Sequence, residues 1–305
     1  MIRRASPDTD QISRSLLQKA VRRGNLEVTK LTINYIIQNN DFDWLRKRLA
    51  VVTFEECWVY GLHISYEKDE KIVTNHYLKI AQTVKNKNAA GLGSLAYALS
   101  RGDTSVFYED QEDQAIKIVN KAIKEPKEFW EWVRNQEGSE TQKLLVEKAD
   151  KGFRKAGWPW DRAFAQAAAY LAISTEIPNI HPAPISTKGE FPFWIGIDKH
   201  TPQGKIAIRE AAKQIGVNSN KALWLAFYFE SAECNAIENS PWWHKEMLWR
   251  MNKLGLSLEE ARIVWEKMRP IVIRLLEKET EKLQQKILKL NFGRYSKEPI
   301  QLSLF

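Results

Sequence analysis

The chain has 305 residues, 44% hydrophobic and 28% charged, enough for one large domain or two modest ones with a substantial core. Its two cysteines, Cys57 and Cys234, lie far apart with no Cys-x-x-Cys spacing, which argues against a disulfide framework or a zinc site and suits a reducing compartment. A formal charge of +8 and a pI near 9.2 favour a polyanionic partner without establishing one. No stretch approaches the roughly 20 apolar residues needed to cross a bilayer, and Met1 to Pro7 lacks the apolar core of a signal peptide, so the expectation is a cytoplasmic protein with no membrane partner.

In chain order the hydrophobic pattern is helical nearly throughout, which predicts an all-α fold. Gly24 followed by Asn25 closes one helix and caps the next. Leu45, Leu49 and Val52 then form an i, i+4, i+7 stripe among charged residues. From about Ser174 to Pro202 the prolines Pro178, Pro182, Pro184, Pro192 and Pro202 recur with Gly189 and Gly196, a density incompatible with helix. This predicts a long structured loop, with a short extended piece at Phe191 to Ile195, joining a helical region 1–175 to a second at 176–290. Ser257 with Glu260 forms a capping box opening a long final helix, which Pro270 should kink or divide. Leu276, Leu283, Ile287 and Leu290 keep one stripe of that helix, and after Asn291 the periodicity ends, predicting a flexible tail over 291–305.

Candidate chemistry concentrates after the proline-rich segment. Asp198 and His200 stand two apart in an extended reading, so an acid and an imidazole can share one cleft and activate water. Thr201 can cap the following helix, whose N-terminus, with Lys199 and Lys205, favours a phosphate. Glu230 lies in the aromatic run Trp224 to Glu233, and Trp242, Trp243 and His244 follow. A carboxylate among rings suits a nucleobase pocket, where a flipped base stacks while the acid activates water. Ordinary loop hydrogen bonding at Asp198 and His200, and an ordinary aromatic core around Glu230, read the same way. His63, His76 and His181 show no metal-ligand spacing, no Gly-x-Ser-x-Gly elbow occurs, and no cofactor or metal is expected.

The last five residues, Gln301-Leu302-Ser303-Leu304-Phe305, match the Gln-Leu-Ser/Asp-Leu-Phe peptide by which bacterial polymerases, repair proteins and loader subunits bind the sliding clamp. Leu304 and Phe305 can fill an apolar pocket, Leu302 a shallower one beside it, and Gln301 can hydrogen-bond at the rim. The alternative is that Leu-Ser-Leu-Phe packs back on the protein's own final helix.

In the first half, Arg14-Ser15-Leu16-Leu17-Gln18-Lys19-Ala20-Val21-Arg22-Arg23-Gly24 precedes a helix through Ile36, then Trp44 to Val52 with Arg46-Lys47-Arg48, then Glu55-Glu56. Trp158 to Ala172 is an alanine-rich segment. This order resembles the C-terminal region of RarA (MgsA) ATPases, relatives of clamp loaders, loosely over residues 11 to 175. Cys57-Trp58 departs from the small residues usual after the acidic pair. The resemblance implies a helical, collar-like or DNA-associated domain. It does not imply ATPase activity: Gly204-Lys205 is followed by Ile206, and Gly196 lies eight residues before Gly204, so no Walker A sequence exists. A separate ATPase subunit is a conceivable partner.

Lys19, Arg22, Arg23, Arg46, Lys47 and Arg48 are the candidate phosphate-facing cations, although a solvated helical face with local ion pairs has the same pattern. The leading expectation is a DNA-binding replication or repair accessory, nucleoid-associated and held at the clamp. The alternatives are a clamp-recruited DNA glycosylase using Asp198 or Glu230 with Trp242 and Trp243 as stacking platform, and a phage or mobile-element protein that occupies the host clamp.

Overall fold

The computed structural model describes residues 7–107, 113–183, 191–234 and 236–295. It has an all-α fold. The α-helices run α1 Pro7–Arg22, α2 Leu26–Gln38, α3 Phe42–Glu56, α4 Glu70–Gln82, α5 Asn88–Ser100, α6 Gln114–Lys124 and α7 Pro126–Arg134. They continue as α8 Glu140–Lys155, α9 Pro159–Ser174, α10 Pro202–Gln214, α11 Ser219–Ala226, α12 Pro241–Lys253 and α13 Leu258–Tyr295. Extended pairing among the described residues is confined to the isolated bridges Cys57 with Asn86, Thr83 with Pro182, and Lys85 with Ile237.

Local chemistry sets several of these boundaries. Gly24 adopts φ +67°, a left-handed conformation that costs glycine nothing, and lets the chain turn so that Asn25 accepts from the Val28 amide and opens α2. At α13 the Ser257 hydroxyl accepts from the Glu260 amide while the Glu260 carboxylate accepts from the Ser257 amide, the reciprocal box expected from sequence.

Two helices are buried on nearly every side, and their small residues explain how. In α5, Ala89, Ala90, Gly91, Gly93 and Ala96 are buried, and in α9 so are Ala163, Ala165, Ala167, Ala168, Ala169 and Ala172. A Cβ at Gly91 would stand 2.3 Å from the Trp242 backbone, so α12 approaches α5 as closely as it does because no side chain intervenes. α5 therefore packs against α6, α9 and α12 together.

The stripe Leu45, Leu49 and Val52 is buried, as are Leu276, Leu283 and Ile287, whereas the Leu290 side chain lies outside the described residues. Helices before and after residue 175 contribute to one continuous core: α1 packs on the turn at 193–196, and α13 on α2 and α10. α9 ends at Ser174 with Thr175 as its C-cap.

Three local expectations are corrected. Phe191 to Ile195 is not extended; Phe193–Gly196 forms a buried 3-10 turn whose Trp194 and Ile195 enter the core. Of the proline-rich stretch, 184–190 lies outside the described residues, so Pro184 and Gly189 receive no structural account. Pro270 does not divide the last helix: it lies on the exposed face, while Met268, Val272 and Leu276 hold the other face in the core. Finally, the helix does not stop at Asn291 but continues to Tyr295, since in a helix already running each further residue adds its own backbone hydrogen bond. Residues 296–305, and with them the clamp-type peptide, lie outside the described residues.

Candidate functional site

α1 delivers Lys19 to the residues that precede α10. Lys19 Nζ lies 2.5 Å from Asp198 Oδ2 and donates also to the Ser15 hydroxyl at 2.9 Å. The backbone bend before α10, fixed by the Thr201 hydroxyl accepting from the Gly204 amide at 3.1 Å, returns His200 Nδ1 to 3.0 Å from the same Asp198 oxygen. Gly204 is required there, since a Cβ would meet the Asp198 carbonyl oxygen at 2.1 Å. Asp198 and His200 are thus together, as expected. However, the carboxylate already has an ammonium partner. Burial alone would raise its pKa, but Lys19 and His200 outweigh that and hold it well below the usual carboxylate range.

Glu230 sits in a π-helical turn, Phe227–Ser231, that follows α11 and turns its carboxylate inward. Its Oε1 receives Arg23 at 2.9 Å and its Oε2 receives Arg269 of α13 at 2.8 Å. Asp198 and Glu230 do line one cavity, together with Trp194 and Trp265, but its volume is about 10 Å³. That admits about one water and no nucleobase.

Next to this, Arg22 reaches Glu55 and Glu56, each at 2.6 Å, and Lys87 from the start of α5 completes a buried set at 3.0 Å from Glu56. Burial opposes ionisation of Glu56, yet the two cations bring its pKa down to about 2. Lys19 and Arg22 were expected on a phosphate-facing surface; both are fully enclosed and engaged with carboxylates, so they do not reach an external polyanion. Arg23 is half-buried on Glu230 and Glu233.

The aromatic residues also take core positions. Trp243 is buried with Lys87 Nζ 4.6 Å above its ring, which removes it as an open stacking platform, and Trp242 is half-buried beside Lys245. Lys199 lies over Trp224 at 3.3 Å and over Phe227 at 3.9 Å, where burial lowers its pKa to about 7. It is packed on rings rather than directed at the N-terminus of α10. Lys205 is exposed on α10. The Tyr228 hydroxyl donates to buried Glu246.

The remaining expected cations sit on one end of α3. Arg46 and Lys47 both bind Asp43, at 2.8 and 2.5 Å, and Arg48 pairs with Asp161 of α9. Arg46 and Lys47 line a surface cleft of about 280 Å³ whose other lining residues, Arg154 and Lys155, come from the end of α8. Its walls are entirely cationic, which suits phosphate oxygens. Sequence reasoning missed Arg154 and Lys155. The signal available was a basic pair followed by Ala156-Gly157-Trp158, but nothing in the sequence said that it would face α3. Among the described residues no group of three or more His, Cys, Asp or Glu side chains is placed to hold a metal ion, and no helix is long and apolar enough to cross a membrane. Comparison with protein-family models, curated proteins and solved structures found no match.

Proposed function

We propose that this chain is a DNA-binding accessory of replication or repair, without an ATPase of its own, recruited to a bacterial-type sliding clamp by its last five residues. The observation that carries the reading is the residue-for-residue agreement of Gln301 to Phe305 with the clamp-binding peptide, preceded by the polar spacer Ser296-Lys297-Glu298-Pro299. The cationic cleft at Arg46, Lys47, Arg154 and Lys155 supplies a surface of the right sign for DNA. The resemblance of the first half to the region that follows the ATPase in RarA-type proteins agrees with a loader-associated role, and an ATPase subunit would then be a separate partner. Base excision draws less support, because both candidate carboxylates are bound by cations and share a cavity too small for a base.

The test is affinity for a purified bacterial sliding clamp, measured for the full chain, for the chain lacking residues 301–305, and for Leu304→Ala with Phe305→Ala. Loss of two pocket-filling side chains should weaken binding by about 30-fold or more. Equal affinity in all three proteins overturns recruitment by the tail.

A further inference from the structure

The cationic cleft does not stand alone. A short step along the chain from its Lys155, between α8 and α9, Trp158 exposes 73% of its surface, more than any other large hydrophobic side chain described. An indole left that open gains little from folding, and its neighbour Gly157 has open space around it as well. Trp158 follows Lys155 by three residues, a separation of at most about 11 Å along the chain. Three residues further on, Asp161 holds Arg48 of α3, and the Arg162 Nε returns to the Ala156 carbonyl at 3.0 Å. The Asp161 end of the Trp158 segment is therefore tied to α3, the helix that carries Arg46 and Lys47, and the Arg162 bond closes the segment back on the end of α8.

Charge balance at the cleft leaves room for an anion. Asp43 is shared between Arg46 and Lys47, and Asp150 between Arg134 and Arg154, so positive charge remains in excess. Lys155 Nζ faces the ring of Tyr66 at 4.6 Å, and its pKa is lowered by burial and then by the nearby charge of Arg46. Cations crowded in this way are relieved by phosphate oxygens, whereas a stacking ring beside them is of no use to a duplex whose bases are paired and stacked on one another.

We infer that this face binds single-stranded DNA, with the backbone phosphates in the cleft formed by Arg46, Lys47, Arg154 and Lys155 and an unpaired base stacked on Trp158. The inference rests on the reading of the body as DNA-binding and specifies the form of DNA. Recognition is sequence-tolerant, since every base offers a ring face and the cleft reads phosphate alone. The cleft shares no lining residue with the cavity at Asp198 and Glu230 and requires no chemistry on the strand.

The experiment is fluorescence anisotropy of a labelled oligothymidylate, and of a labelled duplex of equal length, titrated with the full-length protein over a range of salt. Proteins compared are wild type, Trp158→Ala, Trp158→Phe and the double variant Arg154→Glu with Lys155→Glu, each checked for an unchanged helical circular dichroism spectrum and melting temperature. Trp158→Ala should weaken single-strand binding by roughly 5- to 150-fold while Trp158→Phe keeps most of it. The charge reversal should flatten the dependence of log affinity on log salt by about 0.7 for each phosphate that the protein no longer neutralises. Single-strand affinity indifferent to Trp158, or binding confined to duplex, overturns this inference and leaves clamp recruitment standing. Trp158-dependent single-strand binding in a protein that ignores the clamp upholds it and removes recruitment. Absence of binding to either DNA overturns both this inference and the DNA-binding part of the proposed function.

Discussion

Lys19 and Asp198, separated by 179 positions, meet at 2.5 Å with both side chains enclosed, joining the first helix to the segment that opens α10. The pair pins the second half of the chain to the first. Removing one partner leaves a buried charge without compensation.

Asp198→Ala should therefore destabilise the fold by about 3–5 kcal/mol, and Lys19→Met by a similar amount. The double variant Lys19→Met with Asp198→Leu should cost much less than the two single changes added together. Urea unfolding of the four proteins checks this; strict additivity would mean that the two groups do not depend on each other.

Acid should weaken the fold through its buried, depressed carboxylates. Glu56, at about 2, and Asp198 lie below their unfolded values of about 4.3 and 3.9. The folded state therefore binds fewer protons, and the stability these groups contribute is present above about pH 4.5 and disappears as pH falls toward their folded pKa values. Burial raises Asp161 and Glu246, which gives an opposite trend. The urea midpoint of wild type should fall between pH 4.5 and 2.5, and the gap between wild type and Glu56→Gln should narrow over the same interval. A constant gap would show that the Glu56 pKa is the same in the folded and unfolded chain.

Lys199 makes a contribution of the same sign at higher pH. Its pKa of about 7 in the fold lies below the unfolded value of about 10.4, so between these the unfolded chain binds the extra proton. Stability from this group rises with pH across that window. Comparing wild type with Lys199→Met at pH 7, 8 and 9 isolates it from the tyrosines and cysteines, whose own titration is common to both proteins. Wild type should gain on the variant as pH increases; a gap that stays constant or widens in the variant's favour contradicts the placement of Lys199 on Trp224 and Phe227.

Gly91→Ala tests how α5 and α12 are held. The added methyl would come within 2.3 Å of the Trp242 backbone, where no flexible side chain can yield, so the helices must separate. The expected cost is about 1–3 kcal/mol or more, read as a lowered melting temperature. Gly157→Ala, with open space at its Cβ position, should be close to neutral by the same measurement.

The sequence by itself determined the helices, because 3.6-residue periodicity and caps are local properties. Asn25 and Ser257 cap as their spacing required, and the stripe Leu45, Leu49, Val52 is buried. The proposed clamp peptide, Gln301 to Phe305, is likewise a reading of five consecutive residues. The sequence could not say which charges would be used up internally. Lys19, Arg22, Asp198 and Glu230 read as surface cations and free acids until α1 packs beside 193–201 and 227–231, where low polarity makes opposite charges pair. Nor could it assemble the cleft. Arg46 and Lys47 stand more than 100 positions before Arg154 and Lys155, and only the packing of α3 against α8 and α9 brings them together. Local pattern fixes an element's face, whereas tertiary contact decides what that face meets.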